Sequence, residues 1–253
     1  MNPSLPNAVD LTIVLPVRDE AAVLLHVLED IRDAFAGISF EIVALVDMRS
    51  VDHSPQLLAR CAEACGRDKG PPIRIFQLNP PRCGSGAARR IGSSESRGRL
   101  VGWMDADGTY RASDLRCLFD NISSADQLIG TRSRDFGRAG RVRFLVKSMI
   151  ARIAALLWRR ADLVDLNSGL RIFRRDSILE WLHDLPDGFS CTTTATLAAL
   201  NRGQKVRFVP ISYFPRESGT KSKFHPLFDT ARLLRASWIQ WQRKSKALQH
   251  TAE

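Results

Sequence analysis

Four short apolar runs, each ending at a polar turn, most constrain the fold of this 253-residue chain. They are Leu11–Leu15, Glu41–Val46, Ile73–Leu78 and Leu100–Met104. Between the runs lie stretches with apolar side chains at helical spacing. Glu20–Phe35 carries Val23, Leu24, Val27, Leu28 and Ile31; Ser54–Cys65 has Ser54 as its expected cap and Pro55 in its first turn; Ala87–Ser94 follows Gly84-Ser85-Gly86. Strand–helix alternation of this kind predicts an α/β fold with a mainly parallel sheet flanked by helices. Ligands of such sheets sit beyond the carboxyl ends of the strands. Pro16–Glu20, Asp47–Asp52 and Asp105–Asp107 all fall at those ends.

The last of these segments is the most chemically pointed. The run to Met104 delivers Asp105-Ala106-Asp107 to one short turn. Two carboxylates so placed suit a hard divalent cation, and the cation in turn suits a diphosphate. A solvated turn explains the same residues, so the rest of the chain has to decide. In the second half, Gln127–Thr131, Asn167–Phe173 and Val206–Phe214 read as strands, with Gly203 suited to a helix end before the last of them. Arg143–Arg160 and Leu227–Gln242 read as basic amphipathic helices, and Glu217–Lys223 as a polar loop. The expected organisation is one continuous domain over 1–225 and a basic amphipathic helix and tail over 226–253.

Apolar content of 44% and charged content of 25% are those of a globular protein. The longest candidate for a membrane span, Phe144–Trp158, is broken by Lys147 and Arg152, and the N-terminus lacks the basic and apolar regions of a secretory signal. Five cysteines (61, 65, 83, 117 and 191) show no zinc-like spacing and read as reduced thiols of a cytosolic protein. The net charge of +10 calls for an anionic partner: a nucleotide, a nucleic acid or an anionic membrane surface. Three acidic strand ends on one sheet edge would repel nucleic acid, and no helix-turn-helix, RNP or zinc-finger pattern appears. His26, His53, His183, His225 and His250 show no ligand spacing.

Taken in order, the strand-end segments resemble family 2 glycosyltransferases. Leu15–Glu20 looks like their Pro-x-x-Asn-Glu opening, and Val46–Ser54 like their Asp-Asp-x-Ser-x-Asp-x-Thr segment. Gly84–Ala88 is similar to their Gly-x-Gly-x-Ala stretch, and Asp105-Ala106-Asp107 to their Asp-x-Asp. Asp165–Arg175 resembles the Asp-x-x-Ser-Gly-x-Arg-x-x-Arg segment of the polyprenyl-phosphate branch, which includes dolichol-phosphate mannose synthases. Phe189–Thr194 and Arg216–Lys223 complete the resemblance, which spans about residues 11–225. Met48 and Arg49 depart from it, standing where the second Asp and a small residue are usual.

The resemblance implies a GT-A fold and inverting transfer from a GDP- or UDP-linked sugar such as GDP-mannose, with Mg²⁺ or Mn²⁺. Its acceptor would be a polyprenyl or dolichyl phosphate at the cytosolic membrane face, reached through a membrane-anchoring subunit or the basic tail. Pro16, Arg18, Glu20, Asp47, Gly86, Asp105, Ala106 and Asp107 would hold the nucleotide-sugar, with Asp105 and Asp107 on the metal and Thr109 as a weak or water-mediated contact. Arg132, Arg143, Lys147, Ser168, Gly169, Arg171, Arg216, Ser222 and Lys223 would bind phosphate or acceptor. Asp107, Asp165 and Arg216 are the candidates for direct catalytic roles. Two alternatives stay open: transfer to a glycan or small-molecule hydroxyl with Asp165 as base, and a basic nucleic-acid-binding or degenerate scaffold protein.

Overall fold

The computed structural model describes residues 9–68, 70–132, 151–214 and 226–250, with only the backbone given for 226–230 and 246–250. A seven-stranded sheet runs through its centre in the order β3-β2-β1-β4-β6-β5-β7. The strands are β1 (Leu11–Val17), β2 (Phe40–Asp47), β3 (Ile73–Leu78), β4 (Leu100–Trp103), β5 (Gln127–Arg132), β6 (Arg171–Arg174) and β7 (Val206–Ile211). The helices are α1 (Leu24–Ala34), α2 (Ser54–Arg67), α3 (Ser85–Ser94), α4 (Ala112–Asn121), α5 (151–158), α6 (Arg175–Leu179), α7 (Cys191–Asn201) and α8 (Pro226–His250).

β1 and β2 lie in the middle of the sheet, covered on both faces, which is why they read as unbroken apolar runs. Successive side chains of β1 serve two cores. Leu11, Ile13 and Leu15 pack with α1 and α4 through Leu24, Ile31, Leu115 and Leu118. Val14 faces the other way, with Trp103 and Phe173, against α3, α6 and α7. A smaller cluster joins Ala154 and Trp158 of α5 to Leu163, Leu166, Leu197 of α7 and Trp241 of α8.

The structure corrects the sequence reading in four places. The segment 165–170 is a turn, and the strand expected from Asn167 begins only at Arg171. That short strand, β6, runs antiparallel to both β4 and β5. β7 stops at Ile211, three residues before the expected end. Ser54 lies inside the first turn of α2, preceded by His53 at the cap position; its hydroxyl bonds Asp52 instead of capping the helix. α7 escaped the periodicity because Thr192–Ala199 are buried all round, leaving no polar face to set a period.

Candidate active site

The sheet topology alone gathers the site. β1, β2 and β4 are parallel neighbours, so Arg18–Glu20, Asp47 and Asp105–Asp107 follow adjacent strand ends on one edge. β6 enters the sheet from that same edge because it is antiparallel to β4, with Trp103 opposite Arg171. β5 is antiparallel to β6, so its end at Arg132 returns there too. The 165–170 turn therefore meets the acidic turn across the sheet edge.

On the β1–β2 side, the two loops are tied by carboxylates and hydroxyls. The Ala21 N–H donates to Asp52 at 2.9 Å, the Glu20 N–H to the Ser54 hydroxyl at 2.8 Å, and the Val51 N–H to Asp19 at 2.7 Å. Partial burial would raise the Asp52 pKa, but bonds from Ser54 and from the Ala21 and Ser54 N–H groups hold it below the ordinary range. Pro16 is part of β1, opposite Leu45, and Arg18 lies 3.5 Å from Asp19. Asp47 is gripped by Arg49: Nε donates to Oδ1 at 2.9 Å, Nη2 to Oδ2 at 2.5 Å, and the Arg49 N–H to Oδ1 at 3.0 Å. Burial would raise the Asp47 carboxyl, yet those bonds to Arg49 keep it depressed. The residue that departs from the family pattern thus takes up the acceptor atoms of the residue that keeps to it.

Gly86, expected among the residues that hold the nucleotide-sugar, packs against backbone. The N–H groups of Gly86 and Ala87, at the start of α3, both donate to the Asp187 carbonyl at 3.0 and 3.1 Å. The helix end that would face an anion is closed by the 186–188 loop. A Cβ at Gly86 would strike the Pro186 carbonyl oxygen and come within 2.6 Å of the Asp187 backbone. Gly86→Ala should therefore cost about 2 kcal/mol, the scale of overpacking against backbone that cannot yield. Urea melts of the two proteins measure this; an unchanged midpoint would show that the loop moves freely.

Asp105 and Asp107 face different partners. Asp105 accepts from Arg89 Nη2 at 2.6 Å, and the same guanidinium lies 5.5 Å over the Trp103 ring. Ala106 is buried between them. Asp107 accepts from the Thr109 hydroxyl at 2.6 Å and the Thr109 N–H at 3.2 Å, across the positive-φ Gly108. Thr109 is thus a partner of the carboxylate. Two carboxylates on one turn suffice for a small hard cation, since Mg²⁺-like ions are held by one or two carboxylates with phosphate and water completing the shell; no larger group of His, Cys, Asp and Glu side chains gathers among the described residues.

The opposite wall is the 165–170 turn. Arg132 forms a two-bond pair with Asp165, Nε to Oδ2 at 2.8 Å and Nη2 to Oδ1 at 2.7 Å, and stacks 5.3 Å from the Tyr213 ring. Burial opposes the charge on Arg132, but Asp165 beside it raises its pKa overall. The Gly169 N–H donates to the Tyr110 hydroxyl at 2.9 Å. A Cβ at Gly169 would strike Asp105 Oδ2 and come within 2.9 Å of Arg89 Nη2. The turn is pressed directly against Asp105, and a side chain at Gly169 would have to displace the Asp105–Arg89 pair.

Arg171 is not arranged to bind phosphate. It is fully buried, and its guanidinium donates to the Ser168 carbonyl, the Leu166 carbonyl and the Thr196 hydroxyl, each at 2.8 Å. Burial, and then the charge of Arg89, pull its pKa down to about 9. It is the internal brace of the turn. Ser168 is buried as well. Arg143, Lys147, Arg216, Ser222 and Lys223 lie outside the described residues. Arg89 and Tyr110 were not expected. A charged residue on a helix ordinarily reads as an exposed face, and nothing in one sequence marks Arg89 as buried against Trp103.

This edge geometry is that of a nucleotide-binding α/β transferase. The model of the family Glycosyl transferase family 2 matches residues 12–182, and the chain belongs to that family. It is a glycosyltransferase of GT-A fold, acting on a nucleotide-sugar. Glycosyltransferase AglJ of Haloferax volcanii is 29% identical over 230 residues, 88% of this chain and 69% of that protein. An undecaprenyl-phosphate mannosyltransferase of Micrococcus luteus is 29% identical over 124 residues, 46% of this chain and 49% of that one. Among solved structures, glucosyl-3-phosphoglycerate synthase from Mycobacterium tuberculosis, in complex with Mn²⁺, UDP and phosphoglyceric acid, superposes with a TM-score of 0.68 at 18% identity, covering 92% of this chain and 78% of that one. Staphylococcus aureus TarS superposes with a TM-score of 0.58 at 15% identity, over 90% and 65%.

Proposed function

We propose that this protein transfers a sugar from a GDP- or UDP-linked donor to a polyprenyl phosphate at the cytosolic face of a membrane, with inversion at the sugar. The observation that carries the reading is the seating of the Asp165–Arg171 turn on Asp105, where a Cβ at Gly169 would meet the carboxylate. The segment that resembles the polyprenyl-phosphate branch thus lies against one carboxylate of the acidic pair. Of the relatives named above, the undecaprenyl-phosphate mannosyltransferase, matched over 46% of this chain, supports the same acceptor class.

In the reaction an acceptor phosphate oxygen attacks the anomeric carbon, the bond from that carbon to the donor diphosphate breaks, and the nucleoside diphosphate leaves. Asp105 and Asp107 would hold Mg²⁺ or Mn²⁺, which supplies positive charge for the departing diphosphate. Arg89 fixes Asp105 from behind, so the carboxylate does not reorganise as charge builds. A phosphomonoester has a second pKa near 6 and is already a dianionic nucleophile at neutral pH, so this chain needs no base. Asp165 fits that economy: both its oxygens accept from Arg132, and the pair orients a guanidinium toward acceptor phosphate.

The test is purified protein with labelled nucleotide-sugars, Mn²⁺ and a polyprenyl phosphate, in wild type and Asp165→Asn. A lipid-linked sugar is the expected product, with the variant retaining activity at a loss of about tenfold, as for a misoriented group rather than a missing base. Transfer to a hydroxyl acceptor, abolished in Asp165→Asn, would establish the alternative with Asp165 as base. No lipid-linked product with any common donor would end the proposal.

A further inference from the structure

Among the described residues, six of the twelve exposed large apolar side chains lie on α5, on the loop after it and on α8. α5 turns Ala151, Ala154 and Trp158 inward and leaves Ile153 and Leu156 outside, Leu156 at 78% exposure. The following loop leaves Val164 exposed at 59%, directly before Asp165. α8 buries Leu233 and Gln240 and leaves Leu234 and Trp238 in solvent, Trp238 at 55%. The two helices adjoin. The Lys244 ammonium donates to the Leu157 carbonyl at 3.0 Å and sits 5.4 Å over the Trp158 ring. Trp241 packs into the α5 cluster, with the Trp238 ring 4.9 Å from its own. Leu234, Trp238 and Trp241 therefore form a stripe along α8 that ends at α5.

The charge of this face is net positive. Residues 151–164 contain Arg152, Arg159 and Arg160 against one carboxylate, Asp162, which pairs with Arg160; residues 231–245 contain Arg232, Arg235, Arg243 and Lys244 and no carboxylate, with Arg243 paired to Asp184. Arg152, Arg159 and Arg235 are exposed. A second copy of the chain would set these cations against their own kind, at a distance where like charges repel. An anionic bilayer satisfies both features: the apolar side chains enter the headgroup boundary, an indole settles at that depth, and the exposed Arg152, Arg159 and Arg235 meet lipid phosphate.

We propose that α5, the loop through Val164 and the Leu234–Trp241 stripe of α8 form one docking face for an anionic lipid surface. The face ends one residue before Asp165, so docking brings the 165–170 turn beside the lipid. This inference rests on the lipid-acceptor reading only for its purpose; the surface itself is tested without acceptor. No helix among the described residues is long and apolar enough to cross a membrane, and the face offers attachment without a span.

The experiment is sedimentation of the full chain with vesicles of phosphatidylcholine, with and without phosphatidylglycerol, none containing polyprenyl phosphate. Binding is expected only with the anionic lipid and should fall with salt. Leu156→Asp and Trp238→Asp should each weaken it at least tenfold, and Arg152→Gln and Arg235→Gln about fivefold each. Leu25→Asp, an exposed apolar position on α1, should change nothing. Equal binding to neutral vesicles, an equal effect of Leu25→Asp, or failure to bind with concentration-dependent self-association would overturn the docking face. Transfer to a short, water-soluble prenyl phosphate should survive Leu156→Asp unchanged. If vesicles bind but no lipid phosphate is ever glycosylated, the docking face stands and the acceptor reading falls.

Discussion

Asp107→Asn should lower turnover about a thousandfold while leaving the fold intact. The substitution keeps the size of the side chain and one acceptor oxygen for the Thr109 hydroxyl and N–H, which now contact Oδ1. What it removes is a negative charge on a nearly buried group, 7% exposed. If that charge holds the divalent cation, its loss falls on the transition state, where the diphosphate gains charge, and losses of about 3–4 kcal/mol follow from removing one such element. The measurement is kcat at saturating donor and Mn²⁺, beside a thermal melt. An unchanged melt with turnover within tenfold of wild type would remove Asp107 from the metal site. Asp105→Asn has a second consequence, since it removes the charge that Arg89 pairs with at 2.6 Å, so Asp107 is the cleaner probe.

Arg171→Met should be the most destabilising single change near the site, by about 4 kcal/mol. The side chain is fully enclosed. Its removal strands the carbonyls of Leu166 and Ser168 and the hydroxyl of Thr196, and each buried acceptor left unpaired costs about 1–3 kcal/mol. Methionine recovers part of the packing, which keeps the sum below three full penalties. For a chain of this size each kcal/mol moves the melting temperature by about 2–4 °C, so a fall of about 10 °C is expected by calorimetry. Arg171→Lys should recover little, because an ammonium cannot reach three separated acceptors in the plane of a guanidinium fork. A melt within 2 °C of wild type (roughly half a kcal/mol) would show that the turn holds itself without the brace. Activity should fall in parallel, since the turn carries Asp165 and Gly169.

The first half of the sheet was legible because each of its strands is a local event. An apolar run between turns is buried wherever it lies, and parallel order follows from the helices between the runs. β6 was not legible as an antiparallel strand. Its direction depends on the chain arriving at the sheet from the carboxyl edge, and no residue within Arg171–Arg174 records that. The same holds for the start of α3, where the stretch similar to the family's Gly-x-Gly-x-Ala is closed by the backbone of residues about a hundred positions away.

The sequence by itself determined the family, the α/β class and the acidic strand ends, since these depend on residue type and order along one stretch. The tertiary structure decided which partners those residues meet. Asp47 is held by Arg49, Asp105 by Arg89 and Asp165 by Arg132, and Arg171 is turned inward. In sequence an arginine near a phosphate site reads as a phosphate ligand. In the fold its guanidinium is drawn to whichever carboxylate or carbonyl the chain brings within reach, because a buried charge left without a partner costs more than any local preference can repay.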